Sequence, residues 1–495
     1  MLLLDGALNA PPYHSPSESV AWHGGDVVQC FCFSRKDSRK ISLAGRKIVN
    51  KDVLKAIIAL KQEEIPFEAI PRDIKLPVKR KDIITIPGVR RCGKSTVMEL
   101  AVNELVASGV SRERILWVGF DDERLARMKV EELDNILSAY MEMYPDIPLK
   151  DVYMFFDELP LVKGWELFVL RVFKSYCKHI FVCGSNAHVL SREMKSELRG
   201  WPYEVELWPL TLREFCRFRG GDADSPLESE RARLRVALDE YLRFGAMPGV
   251  VLETSISDKF RKLQGYFDTM LLRDFIEHWS VSNPPVLRYF LKRVMAGLSS
   301  PVSVNAIYND IKSQGFRVTK NDLYDWLDKA CGIYLFVRAP KYNKSVAKEQ
   351  QSLSKYYVVD NGLRTAMLIA QSDDEGKHLE NSVFLHLYRN RGGEGKICYW
   401  QGRGECDFVI CRDNEVERLV QVTWDLSSDA VRRREISGLL EAATALECTD
   451  LTIVTHDEED EIIEDGRAIH VIPAWKYLVN PPSAEVFSRK AILSE

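Results

Sequence analysis

Gly88-Val89-Arg90-Arg91-Cys92-Gly93-Lys94-Ser95 fits the spacing G-x-x-x-x-G-K-[ST], and Thr96 follows it. This spacing suits a polyphosphate. Two glycines permit a turn whose backbone N–H groups face inward, and a helix opening at the lysine adds partial positive charge. Lys94 would reach the β- and γ-phosphates, and the Ser95 hydroxyl would join a Mg2+ shell. The other half of such a site is an acid at the end of a neighbouring strand. The apolar run Val152-Tyr-Met-Phe-Phe156 leads to Asp157 and Glu158. Asp157 would hold the Mg2+ shell, and Glu158 would activate water as a base or by positioning it. A third run, His179–Cys183, ends in Gly184-Ser185-Asn186. Ser185 there can sense the γ-phosphate, or simply cap a helix.

These residues need a scaffold that brings strand ends together. Short apolar strands are expected at Ile83–Pro87, Ile115–Phe120, Val152–Phe156, His179–Cys183 and Tyr203–Leu207, with amphipathic helices between them. That alternation predicts an α/β domain with a largely parallel sheet. Residues 42–80 carry a partly helical pattern, residues 220–279 read as helices only, and 280–365 as two short helices and a hairpin. Residues 366–495 return to a helix–strand–strand pattern, and 1–41 form a leader expected to be disordered.

Composition narrows the class. The chain has 495 residues, 46% hydrophobic and 28% charged, with 68 Lys+Arg against 72 Asp+Glu. A net charge of −4 excludes a polybasic nucleic-acid coat for the chain as a whole. Eleven cysteines without a paired framework suit a reducing compartment. No apolar run approaches membrane-spanning length, and the first Lys or Arg is Arg35. The expected location is cytoplasmic, with no membrane partner.

Taken together, ITIPGVRRCGKST, VYMFFDELPLVKGWE, FVCGSNAHVLSREMKSELRG, LWPLTLREF, YLRFGAMPGVV and LLRDFIE resemble the AAA-type P-loop ATPases of the AAA_14 group. The later stretches YYVVDNGLR, LENSVFLHLYRN, ECDFVI and LVQVTWDL resemble a fused DUF4143 region. The resemblance covers about 75–490 and implies a P-loop NTPase core (42–219 with its N-terminal lead-in), a helical lid (220–279), a winged-helix-like region (280–365) and a restriction-endonuclease-like α/β domain (366–495). It places the nucleotide site on Lys94, Ser95, Asp157, Glu158 and Ser185. The family's arginine position is occupied by Trp201, so Arg199, Arg243 and Arg273 stand as substitute arginine fingers.

The C-terminal regions carry residues with a bearing on nucleic-acid chemistry. Asp322, Asp325 and Asp328 lie near one stripe of the second short helix and would repel phosphate. Arg338, Lys341, Lys344, Lys348 and Lys355 instead make residues 338–355 a basic hairpin that could track DNA or RNA, or a solvated loop. A metal-dependent nuclease of the PD-(D/E)xK type needs converging carboxylates and a lysine. Glu380 and Asp407 supply two acids, but Gln421 and Thr423 fall where the E-x-K pair belongs; Asp425 could be a partial replacement, and no lysine is near. This vestigial site is not expected to cut. Cys398, Cys406 and Cys411 lack zinc spacing and read as buried thiols.

The expected activity is Mg2+-dependent ATP hydrolysis driving a conformational switch of an AAA/STAND-like ATPase, with a homo-oligomer or protein partner. The absence of N-K-x-D favours ATP over GTP. The alternative is a nucleic-acid-binding module with a degenerate or ATP-gated nuclease-like domain.

Overall fold

Five parallel strands form the first sheet in the order β2-β3-β4-β1-β5. They are β1 (Ile83–Pro87), β2 (Ile115–Gly119), β3 (Tyr153–Asp157), β4 (Ile180–Gly184) and β5 (Pro202–Glu204). The coordinates are a computed structural model that describes residues 50–184, 202–225, 227–368, 374–392, 395–413 and 415–480. The expected leader at 1–41, Ser185, Arg199 and Trp201 lie outside the described residues.

Strands β1 to β4 are almost wholly buried because helices cover both faces, while the edge strand β5 is only partly buried. Phe155 and Phe181 face one core, while Met154, Phe156, Ile180 and Val182 face the other. On the first face Trp117, Phe155 and Phe181 stack across three neighbouring strands, with ring centroids 5.4 and 4.5 Å apart. This ladder ties β2, β3 and β4 together, and β1 pairs in parallel with the other edge of β4.

After the sheet, helices Leu212–Phe218, Glu228–Phe244 and Ile256–Thr269 pack beside it. The last continues into an eight-residue π-helix, Met270–Glu277. Helices Pro284–Ala296, Val304–Ser313 and Lys320–Gly332 then precede a small antiparallel sheet in the order β6-β8-β7, from β6 (Pro301–Val302), β7 (Phe336–Ala339) and β8 (Ser354–Val358). The expected boundary at 365/366 falls inside the helix Asn361–Met367, so the chain has no junction at that point.

The third sheet is mixed, in the order β13-β14-β12-β11-β10-β9. Its strands are β9 (Lys396–Gln401), β10 (Glu405–Arg412), β11 (Glu415–Val422), β12 (Leu451–Thr455), β13 (Asp460–Glu464) and β14 (Arg467–Pro473). Helix Asp374–Arg389 packs on one face and Asp429–Leu446 on the other. One core runs unbroken from Ile65 through helices Glu228–Phe244 and Ile256–Thr269 and the small sheet to Val479. No helix among the described residues is long and apolar enough to cross a membrane.

Candidate nucleotide site

The loop after β1 turns through two left-handed residues, Arg91 (φ 69°) and Gly93 (φ 95°), before helix Lys94–Ala107 begins. Gly88 admits no side chain, since a Cβ there would lie 2.3 Å from the Leu207 carbonyl oxygen. Val89 is buried in the core and Arg91 is exposed, so both would meet a phosphate through their backbone N–H groups. The Cys92 thiol is buried and donates to the Leu207 carbonyl at 3.5 Å. Thr96 lies half-buried on the first helical turn. Lys94 is buried, and its Nζ donates to the carbonyls of Gly88 and Val89, both at 3.1 Å. The ammonium is folded over its own loop, at the place where phosphate oxygens would compete for it.

The two acids stand at the end of β3. Asp157 ends β3 and is buried; it accepts from the Cys183 thiol at 2.6 Å and from the Ser95 hydroxyl. Burial holds its carboxyl above the usual range, against those two hydrogen bonds and with help from the charges of Glu158 and Asp121. Glu158 follows in the left-handed region (φ 51°), which a non-glycine residue adopts at a cost of order 1–3 kcal/mol. An all-oxygen pair, Ser95 Oγ and the Asp157 carboxylate, is the donor chemistry a hard cation such as Mg2+ takes.

Two residues that sequence reasoning missed hold this loop. Arg72 is buried and fans its guanidinium over three partners: Glu214 Oε1 at 2.8 Å, the Cys92 carbonyl at 2.9 Å and the Trp208 carbonyl at 3.0 Å. Burial alone would raise the Glu214 carboxyl; the charge and hydrogen bond of Arg72 outweigh it and hold it low. Glu214 also closes a capping box with Thr211, a T-x-x-E pattern visible in the sequence; nothing in the sequence links it to Arg72. The second residue is Asp274. Arg90 Nε and Nη2 reach its two carboxylate oxygens at 3.0 and 2.6 Å. Two of the proposed fingers, Arg243 and Arg273, lie among the described residues. Arg243 is exposed beside the Phe244 ring, and Arg273 is exposed on the π-helix, whose next residue, Asp274, is the one that reaches the loop.

The C-terminal cluster corrects two expectations. Glu380 and Asp407 do converge, but a lysine is there too. Lys355, only 1% exposed, sets its Nζ 3.2 Å from Glu380, 3.2 Å from Asp407 and 2.6 Å from Glu405. It comes from β8, a strand of the small sheet, so no spacing within 366–495 could reveal it. The basic hairpin thereby loses one of its cations to the interior; helix Val346–Gln351 fills its loop, with Lys344 and Lys348 on the surface. Tyr357 donates to Glu380 at 2.7 Å, and the Val422 N–H to Asp407 at 3.0 Å. Burial, then the charge of Glu380, pushes the Asp407 carboxyl above its usual range, against the pull of the Lys355 ammonium. Gln421 bridges the Asp407 N–H and Glu435, and Thr423 donates to the Asp425 carbonyl. Asp425 is no replacement ligand: β11 has ended at Val422, and its carboxylate accepts from Ser427 in a local turn. Among the described residues no group of three or more His, Cys, Asp or Glu is arranged to hold a metal ion. Cys398, Cys406 and Cys411 are buried thiols.

Comparison with known proteins locates these features. An uncharacterised protein of Methanocaldococcus jannaschii is 28% identical over 441 residues, 87% of this chain and 96% of its own length. An uncharacterised protein of Haemophilus influenzae is 28% identical over 344 residues, 70% of this chain and 83% of its own. Among solved structures, the Walker-type ATPase of Pyrococcus abyssi is 14% identical with a TM-score of 0.39, covering 65% of this chain and 96% of that one. The ADP form of the ORC2 protein of Aeropyrum pernix is 12% identical with a TM-score of 0.31, covering 70% and 97%. C-terminal to the sheet, residues 235–374 match a domain of unknown function, DUF8612, which replaces the DUF4143 region expected from the sequence. Residues 80–216, which carry the loop, Asp157 and Glu158, match the AAA domain family AAA_14.

Proposed function

We propose that the chain is an ATPase of the AAA/STAND-like kind, in which Mg2+-dependent hydrolysis at loop 88–95 switches the helical lid. The observation that carries this reading is the convergence of Lys94, Ser95, Asp157 and Glu158 at the ends of β1 and β3. The loop N–H groups would bind the phosphates, and Lys94 would exchange its two carbonyl partners for phosphate oxygens. Ser95 and Asp157 would hold Mg2+, which supplies charge neutralisation on the phosphate oxygens. Glu158 takes the proton of the attacking water as the water oxygen bonds the terminal phosphorus and the bridging P–O bond breaks. Lys94→Ala is expected to lose ATP binding, and Glu158→Gln to bind Mg·ATP normally but hydrolyse it about 10²–10⁴-fold more slowly. Nucleotide titration and steady-state phosphate release check both. Unchanged ATP affinity in a folded Lys94→Ala protein would sink the reading.

A second reading rests on Lys355. Its convergence with Glu380, Glu405 and Asp407 supports a degenerate nuclease-like module that docks nucleic acid without cutting it. The ammonium takes up charge that a divalent cation would need, and Gln421 contributes none. The chain should therefore leave plasmid, single-stranded DNA and RNA intact in Mg2+ or Mn2+, with or without ATP. Cleavage that disappears in Asp407→Ala would make the module an active nuclease.

A further inference from the structure

Both cations of loop 88–95 that face the phosphate site already have protein acceptors. Lys94 is held by two carbonyls of its own loop. Arg90 is held by the lid: its planar fork makes two parallel bonds to Asp274, at 3.0 and 2.6 Å. That fork fits carboxylate and phosphate oxygens alike. Arg90 also lies within electrostatic reach of Glu158 and Asp121, which sit at the C-terminal ends of β3 and β2. It therefore stands on the side of the loop where the terminal phosphate would meet the activated water.

The partner is unusual in two ways. The Asp274 side chain is only 6% exposed, so without Arg90 it would be a dry, uncompensated charge. It belongs to an eight-residue π-helix, a rare hydrogen-bonding pattern that recurs at functional positions. We infer that Asp274 is a lid-borne competitor of nucleotide phosphate for Arg90: a nucleoside triphosphate takes Arg90 from it and releases the π-helical segment. The inference rests on the nucleotide reading above. It supplies the link from loop to lid, because Asp274 cannot stay buried once Arg90 has left. The segment 270–277 must carry the carboxylate to water, and binding becomes lid movement.

The test uses the full chain with the non-hydrolysable triphosphate adenylyl-imidodiphosphate and Mg2+. In the unaltered protein, amide hydrogen exchange across 270–277 should rise severalfold on saturation. Asp274→Asn keeps the shape but removes the charge; it should bind the analogue about tenfold tighter and exchange rapidly across 270–277 without it. Arg90→Ala loses latch and phosphate contact together, so its exchange should also be fast while its affinity falls. An Asp274→Asn affinity within twofold of the original overturns the latch, as does unaltered protein whose segment exchanges equally with and without bound analogue. The exchange measurement needs no variant to fold. If the unaltered chain binds no more analogue than Lys94→Ala, the nucleotide reading fails and takes the latch with it.

Discussion

Lys355 is an ammonium that solvent barely touches, and three carboxylates stand where water would be. Removing one member of such a cluster leaves like charges buried without compensation. Lys355→Met should cost about 3–5 kcal/mol, seen as a lower urea midpoint at unchanged slope. A loss below about 1 kcal/mol would mean that water enters the cluster freely. The residue shows where reading a sequence stops. Glu380 and Asp407 were legible because each sits in a recognisable helix or strand. Their counter-ion, 25 and 52 residues upstream, follows no period. The same holds for Arg72 and Glu214, which pair across 142 positions.

At the scale of elements, local order made the loop legible. Strand, turn and helix are contiguous in the chain, and β1 spans the five residues that its apolar run predicts. Strands β2 to β4 start within a residue of their apolar runs, because burial on both faces removes the alternation that would sharpen the ends, while the edge strand β5 stops at Glu204, short of the expected Leu207. What braces the loop was not legible, and it makes a separate prediction. Arg72→Met strands Glu214 and frees the Cys92 carbonyl, so stability should fall by about 3–5 kcal/mol. Adding Glu214→Gln removes the orphaned charge and should recover most of that loss. ATP affinity should stay low in the double variant, because the loop carbonyl is still unpinned. Denaturant melts and nucleotide titration on both variants separate the two effects; full recovery of affinity would show that Arg72 matters only to folding.

For the whole molecule, pH is the natural variable. His386 lies buried on helix Asp374–Arg389 against Tyr477; burial, then the charge of Arg389, lowers its pKa to about 3. His378 on the same helix is lowered to about 4 by burial and by Arg364. The unfolded chain takes up these protons first as pH falls, so their contribution is whole above about 6.5 and is lost toward 3–4. Asp360 works in the opposite sense, since burial raises its carboxyl to about 6. A difference between variants isolates one group. His386→Phe should gain about 1.4 kcal/mol per pH unit relative to the original chain as pH drops from 6.5 toward 4. Unfolding curves at pH 7, 6, 5 and 4.5 would show it, and parallel stability profiles would refute it.

The unbroken core also has a consequence in time. Arg213, on the first helix after the parallel sheet, donates through Nε and Nη2 to the Val479 carbonyl, 266 residues further on. Ribosomes add about 5–20 residues per second, so roughly a quarter-minute to most of a minute separates the synthesis of these two ends. During that interval the P-loop sheet can be complete while helix Leu212–Phe218 still lacks helix Ala474–Val479, the partner that packs against it. Nascent chains stalled before Ala474 should therefore present a formed nucleotide loop beside an unfinished apolar face. Such chains should bind ribosome-associated chaperones more tightly than chains from which helix Ala474–Val479 has emerged.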